Sequence, residues 1–282
     1  MNAPLDARQR AMLAEMGVPL WAPRRARRAV GAAQLPPPQS PVQNRASTVT
    51  PAPVPTPVPA VTAPGGLTPL PAGIPEMDWA QLEAAVASCR ACGLCLSRTQ
   101  TVFGVGDRQA DWMVIGEAPG REEDRLGEPF VGPAGKLLDN MLAAIGLSRR
   151  ASAQASGASG GRQPRGVYIA NVVKCRPPNN RNPEPEEIAT CEPYLKRQIA
   201  LVQPRIILAM GRFAVQSLLG TSEPIGRLRG RVHRYEGVPV VVTYHPAYLL
   251  RALPEKAKAW QDLCRALSVV AGDAQATAER ED

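Results

Sequence analysis

Two sets of residues in this sequence have the types and spacing for chemistry. The first is cysteine. Cys89-Arg-Ala-Cys92 is a C-x2-C pair, and Cys175 and Cys191 follow far downstream with fifteen residues between them. Four thiolates can close tetrahedrally around zinc or hold a cubane iron–sulfur cluster, and spacing alone leaves both open. Cys175 runs into Arg-Pro-Pro, with no neighbouring Cys or His to complete the second C-x2-C of a zinc ribbon, and this favours iron–sulfur. Cys92-Gly-Leu-Cys95 is an overlapping C-x2-C that complicates the assignment. The plainer reading is that these cysteines are small buried apolar residues, and it is weakest for Cys89 and Cys92. The second set is Glu117, Asn171 and His245: a carboxylate, a carboxamide and one of only two imidazoles in the chain. The other histidine, His233, is expected in a polar loop.

The elements that must position these residues alternate between strand and helix. Asp78–Arg90 reads as a helix. Trp112–Ile115 is a short buried strand that runs into glycine. Pro133–Ile145 is an amphipathic helix, Val167–Val173 a second strand, and Pro185–Leu201 a helix. Arg205–Met210 is a third strand followed by a helix over Gly211–Leu219. Val238–Thr243 is a fourth strand, and Glu255–Val270 a last helix. Short apolar strands separated by helices predict a three-layer α/β/α fold with a central four-stranded parallel sheet. In such sheets ligands bind at the carboxyl ends of the strands. The unusual residues fall there: Gly116–Gly120 after the first strand, Asn171 at the end of the second, Gly211 after the third, His245 after the fourth.

Composition frames this core. Residues 1–75 hold seven arginines against Asp6 and Glu15. That leaves residues 76–282 only mildly basic, a balance that suits a polyanionic partner without requiring one. Thirteen of the 30 prolines crowd Pro36–Pro75, which excludes helix or central strand and predicts an extended linker. The expected organisation has four parts. Residues 1–30 form a short amphipathic helix (6–18) and a basic segment, and 31–77 a linker. Residues 78–272 form the core, with a flexible insertion at 151–166, and 273–282 a polar tail. There is no secretory signal and no apolar run of the ~20 residues a membrane span needs, so a cytoplasmic protein is expected. In that compartment clustered cysteines point to metal or catalysis rather than disulfides.

Over residues 85–270 the sequence resembles the family 4 uracil-DNA glycosylases, the iron–sulfur branch of their superfamily. The resemblance is carried by Cys89-x2-Cys92, Arg98-Thr99, Val102-Phe103-Gly104 and Gly116-Glu117-Ala118-Pro119-Gly120. It continues through Glu123-Asp124, Pro129-Phe130-Val131-Gly132, Asn171-Val-Val-Lys-Cys175-Arg-Pro-Pro, Cys191 and His245-Pro-Ala-Tyr-Leu-Leu-Arg251. It implies a monofunctional, base-flipping enzyme of base excision repair that hydrolyses the N-glycosidic bond of deoxyuridine in DNA. It also implies a [4Fe-4S] cluster on Cys89, Cys92, Cys175 and Cys191, with Cys95 a bystander. Phe130 becomes the aromatic floor under the flipped uracil, and Asn171 the amide that accepts from N3–H and donates to O4. Gly116 and Ala118 line the base, and Glu123 and Asn180 are further substrate-binding residues.

Glu117 and His245 become the catalytic pair. His245 donates to the departing uracil oxygen, and Glu117 positions water or stabilises charge on the sugar. Ala118 stands where other branches carry an acid. Tyr248, Leu249 and Leu250 are expected to wedge into the DNA, with Arg251 on a phosphate. Leu249 and Leu250 alternatively begin the core of the last helix. A related subgroup traps itself on uracil through a histidine in the region that here reads Pro177-Pro-Asn-Asn-Arg-Asn-Pro183. No histidine is present, so turnover is expected.

Leu13-Ala-Glu-Met-Gly17-Val-Pro-Leu-Trp21-Ala-Pro-Arg-Arg25 is similar to the N-terminal peptide of the clamp-loader psi subunit. This implies a replication partner docked through residues 6–28, where a bland basic tail is the alternative. Two other functions compete with the enzyme: a module that binds damaged DNA without cleaving it, and an iron–sulfur electron carrier. The carrier leaves the Gly-Glu-Ala-Pro-Gly and His-Pro-Ala-Tyr-Leu-Leu stretches without a purpose.

Overall fold

A computed structural model describes residues 66–150 and 165–281, with side chains to residue 272. The expected N-terminal helix, the docking peptide and most of the 151–166 insertion lie outside these residues.

The described residues form seven strands: β1 (Val105–Gly106), β2 (Trp112–Gly116), β3 (Leu147–Ser148), β4 (Arg165–Asn171), β5 (Ile206–Met210), β6 (Val232–Tyr235) and β7 (Val238–Thr243). The described helices are α1 (Trp79–Ser88), α2 (Arg121–Leu126), α3 (Pro133–Ala144), α4 (Pro185–Val202), α5 (Arg212–Leu219), α6 (Ile225–Leu228), α7 (Pro246–Leu249) and α8 (Lys256–Glu281). The strand order is β1-β4-β2-β5-β7-β6, with β3 paired to β4. The expected four-stranded parallel sheet is the middle of this array, β4-β2-β5-β7. Antiparallel β1 and β6 extend it at the edges.

The middle strands bury both faces, so alternate side chains feed two cores. Met113 and Ile115 of β2 face one core with Leu82, Val86, Tyr194 and Ile199. Trp112 and Val114 face the other with Leu138, Met141, Leu142 and Leu263. Helix ends follow local chemistry. Asp78 and Gln81 form a capping box at the start of α1, and Pro133 and Pro185 open α3 and α4, where a missing N–H is no loss.

Three expected boundaries shift. The linker ends before residue 78: Ile74 is buried in the first core, Arg197 Nε donates to the Met77 carbonyl, and Thr68 N–H donates to the Arg90 carbonyl. Arg165 and Gly166 belong to β4 rather than to the insertion. The backbone of α8 stays helical through Glu281, so the polar tail begins inside a helix. No helix among the described residues is long and apolar enough to cross a membrane. If residues 66–77 are part of the folded unit, Ile74→Ala should destabilise it by about 2–4 kcal/mol in denaturant unfolding, the usual cost of emptying a buried aliphatic site. A linker position would show no change.

Candidate active site and cysteine corner

The carboxyl ends of β2, β4, β5 and β7 open onto one cavity of about 780 Å³. It is lined by Glu117 and Ala118 after β2, Asn171 at the end of β4, Gly211 and Arg212 after β5, and His245 after β7. Phe130, Glu123, Asn180, Tyr248 and Arg251 also line it. The parallel strands therefore gather residues that lie up to 128 positions apart in sequence.

Asn171 is almost fully buried, and its Oδ1 has no hydrogen-bond partner. A buried acceptor left unmade costs about 1–3 kcal/mol, so an orphan carboxamide oxygen on a cavity wall is poised for a ligand N–H. Gly116 lets it sit there. A Cβ at Gly116 would lie 2.5 Å from both Asn171 Oδ1 and Phe130 Cζ. Phe130 holds a left-handed backbone, φ 56°, a strained state for an aromatic residue. Its neighbours enforce it. Val131 and Gly132 donate their N–H groups to Glu123 Oε1 at 3.0 and 3.1 Å, and Arg149 donates to the Pro129 carbonyl at 2.7 Å.

Glu123 lines the cavity and also braces the loops that frame it. Its second oxygen accepts from Gly120 N–H at 3.1 Å, so the carboxylate is occupied by three backbone amides and shapes the loops around the base site. Asn180 Oδ1 likewise accepts from Arg176 Nε at 2.7 Å, in a left-handed turn at the rim.

His245 stacks on Phe130, with ring centroids 5.4 Å apart. Its Nδ1 accepts the Ala247 N–H at 3.1 Å, which leaves the proton of the neutral ring on Nε2. Burial pushes its pKa down to about 4, against the opposing pull of the Glu123 charge. The imidazole is therefore a neutral donor at ordinary pH. Burial raises Glu117 to about 6, and the Arg212 guanidinium restrains the rise. Arg212 escaped the sequence reading. Its signal was the position beside Gly211 at a strand end, where the glycine drew attention and the arginine did not.

The expected wedge divides. Leu249 is fully buried in the second core and cannot meet DNA, because it packs the short helix α7 onto the sheet. Tyr248 and Leu250 are exposed beside it. Tyr248 packs against Tyr244, whose ring carries the Arg229 guanidinium at 4.8 Å, and Arg229 pairs with Asp262 at 2.7 Å.

A second, smaller cavity lies on the cysteine side. Cys89, Cys92, Cys95, Cys175 and Cys191 line it together with Arg98, Lys174 and Tyr194. The four expected ligands converge from the end of α1, the turn after it, the loop after β4 and the body of α4. Cys95 shares the wall. No group of three or more His, Cys, Asp or Glu side chains among the described residues is arranged around a single metal ion. The donor set suits a larger anionic group. Arg98 Nη1 donates to Cys175 Sγ at 3.0 Å, and the Lys174 N–H donates to Cys191 Sγ at 3.3 Å. Such N–H···S donors are what metal-bound thiolates use. Burial pushes the free thiols of Cys175 and Cys191 up to about 11 and 12, and metal binding would displace those protons.

Residues 103–264 match the family model described as the uracil DNA glycosylase superfamily. The chain is 45% identical over 173 residues to a type-4 uracil-DNA glycosylase of Archaeoglobus fulgidus, covering 58% of this chain and 79% of the relative. It is 42% identical over 168 residues to a type-4 enzyme of Thermotoga maritima, with 59% and 80% covered. A type-5 enzyme of Pyrobaculum aerophilum is 36% identical over 149 residues, with 51% and 64% covered. Gly116→Ala should force Asn171 and Phe130 apart and lower kcat/KM on uracil-containing DNA by about 10²-fold, the scale of a misplaced binding group. Unchanged kinetics would contradict the close approach. The sheet, the site at its strand ends and these matches put the chain in the uracil-DNA glycosylase superfamily, within the type-4 family.

Proposed function

We propose that this protein hydrolyses the N-glycosidic bond of deoxyuridine in DNA, releasing uracil and leaving an abasic site for base excision repair. The observation that carries the reading is the orphan Oδ1 of Asn171 on the wall of a cavity floored by Phe130. That oxygen can accept N3–H of uracil while the amide N–H group donates to O4. Cytosine presents the opposite pattern and leaves both partners unmet. The target nucleotide must leave the duplex to reach this wall, and exposed Tyr248 and Leu250 are suited to fill the gap, with Arg251 and Arg212 near phosphate.

Water attacks C1′ of the sugar as the C1′–N1 bond breaks, and the bonding electrons leave with uracil. Neutral His245 offers Nε2–H to the uracil oxygen that gains charge. The Glu117 carboxylate accepts a proton of the attacking water and holds the oxygen toward C1′. No lysine lines the cavity among the described residues, which supports direct hydrolysis over a Schiff base. The loop Pro177–Pro183 has no histidine, which supports turnover over self-trapping.

The cysteine corner is read as the holder of a [4Fe-4S] cluster on Cys89, Cys92, Cys175 and Cys191. Such a cluster would cross-link α1, the loop after β4 and α4. Docking of residues 6–28 on a replication protein rests on their sequence alone.

Strand cleavage by alkali after incubation with uracil-containing DNA tests the activity, and His245→Ala should lower single-turnover excision about 10²–10³-fold, as for loss of one preorganised donor. Equal excision by the variant would reject the assignment. The pH profile has a definite sign. Below about 6 Glu117 is protonated and cannot accept from water, so kcat/KM falls as pH drops through that value. Glu117→Gln should flatten this limb. An acid limb unchanged by the substitution would remove Glu117 from the mechanism. Iron and sulfide analysis should find the cluster kept in Cys95→Ser and lost in Cys175→Ser, and zinc in place of iron would overturn the cluster reading.

A further inference from the structure

Lys174 lines the cysteine corner, yet its side chain reaches back to the strand end that carries the base site. Its side chain is buried, with 1% of the residue exposed. Its Nζ donates to the Asn171 carbonyl oxygen at 2.7 Å and to Gln198 Oε1 at 2.6 Å. Both partners are neutral. Its own N–H donates to Cys191 Sγ, and the next residue is Cys175.

A buried ammonium without an anion is expensive by several kcal/mol, and two neutral oxygens do not discharge it. The anion-forming groups beside it are the sulfurs of Cys191 and Cys175, which line the same small cavity as Lys174. An iron–sulfur cluster held by four thiolates is net anionic, so when bound there it would supply the missing counter-charge. The ammonium also grips the backbone oxygen of the very residue whose amide faces the base cavity. The grip is reinforced. Gln198 Nε2 donates to the Phe103 carbonyl at 2.9 Å and to the Tyr168 hydroxyl at 3.2 Å, which fixes the acceptor that Lys174 uses. Val172 and Val173 donate to the carbonyls of Gly116 and Glu117 at 3.0 and 3.2 Å, so a shift in this stretch reaches the carboxylate loop as well.

We propose that Lys174 is a positioning residue that couples the cysteine corner to base reading: its ammonium is the buried counter-charge of the metal–thiolate group and, through the Asn171 carbonyl, fixes the strand end from which the Asn171 amide meets uracil. The proposal rests on the cluster reading given above. It assigns Lys174 no contact with substrate and no proton transfer.

Lys174→Met in the full-length, cluster-loaded chain removes both charge and donor at similar volume. Three readouts are needed: iron and sulfide content, the cluster midpoint potential by redox titration, and KM and kcat on a uracil-containing oligonucleotide. The expected result is retained iron, a more negative potential because a neighbouring positive charge is gone, and KM raised about tenfold with a smaller change in kcat. Lys174→Gln, which keeps a donor and loses the charge, should lower the potential as much while restoring most of KM. An unchanged potential or an unchanged KM in Lys174→Met overturns the proposal. If that variant does not fold, an unchanged potential in Lys174→Gln overturns it. Wild type purified without iron and sulfide would strike the cluster reading itself, a different failure from iron-loaded variants that behave like wild type.

Discussion

Five consecutive residues, Asn171 to Cys175, impose the constraint on which the rest of this structure depends. The first ends β4 and presents an amide to the cavity, and the last is an expected cluster ligand. The three residues between them tie the two sites together in sequence. Val172 and Val173 are pinned to the loop that carries Glu117, and Lys174 is pinned to Asn171 and to Gln198 of α4. A parallel sheet places its strand ends accurately but leaves the loops beyond them to local chemistry. Here that chemistry is a polar network on one side and a knot of cysteines on the other.

The cavity itself runs on unmet or shifted polar groups. Asn171 Oδ1 has no protein partner, burial keeps His245 neutral, and burial raises Glu117 to about 6 against the restraint of Arg212. Each departure would weaken an ordinary protein, and each becomes useful when uracil and water enter. The strained Phe130 backbone belongs to the same pattern. Glu123 and Arg149 hold a conformation that the chain would otherwise leave, and the ring stays against His245. Order in the loops is thus bought with backbone hydrogen bonds, which the type-4 motifs encode in Glu123-Asp124. Glu123 organises the Phe130 loop, and Asp124 accepts the Thr99 N–H at 2.9 Å, joining the Arg98-Thr99 motif to α2.

The doubly covered middle of the sheet was legible because β2, β4, β5 and β7 are apolar on both faces. The edge strands were not. β1 and β3 have two residues each, and β6 reads Val-His-Arg-Tyr, half exposed and without a continuous apolar run. The helix α2 escaped because Arg-Glu-Glu-Asp-Arg-Leu has too little apolar periodicity, its stability coming from the Glu123 and Asp124 contacts. Ile74 was hidden in a proline-rich stretch whose composition outweighed one buried side chain. The strand-end logic placed Glu117, Asn171 and His245 correctly around one cavity. It could not divide Leu249 from Leu250, because the turn of α7 decides which faces the core. It also missed Arg212 and the buried role of Lys174, since a lysine between valine and cysteine carries no sequence sign of burial.

The central claim is that one carboxamide at the end of β4 reads uracil. Single-turnover release of free base by Asn171→Ala, compared with wild type on uracil-containing DNA and on the cytosine control, tests it most directly. The visible absorbance of the cluster should be recorded on the same samples. The account predicts uracil release slowed by about 10²-fold or more, the scale for loss of a hydrogen-bonding pair used in the transition state, with the cluster spectrum unchanged. Release at the wild-type rate, or cytosine released by the wild-type protein, would contradict it.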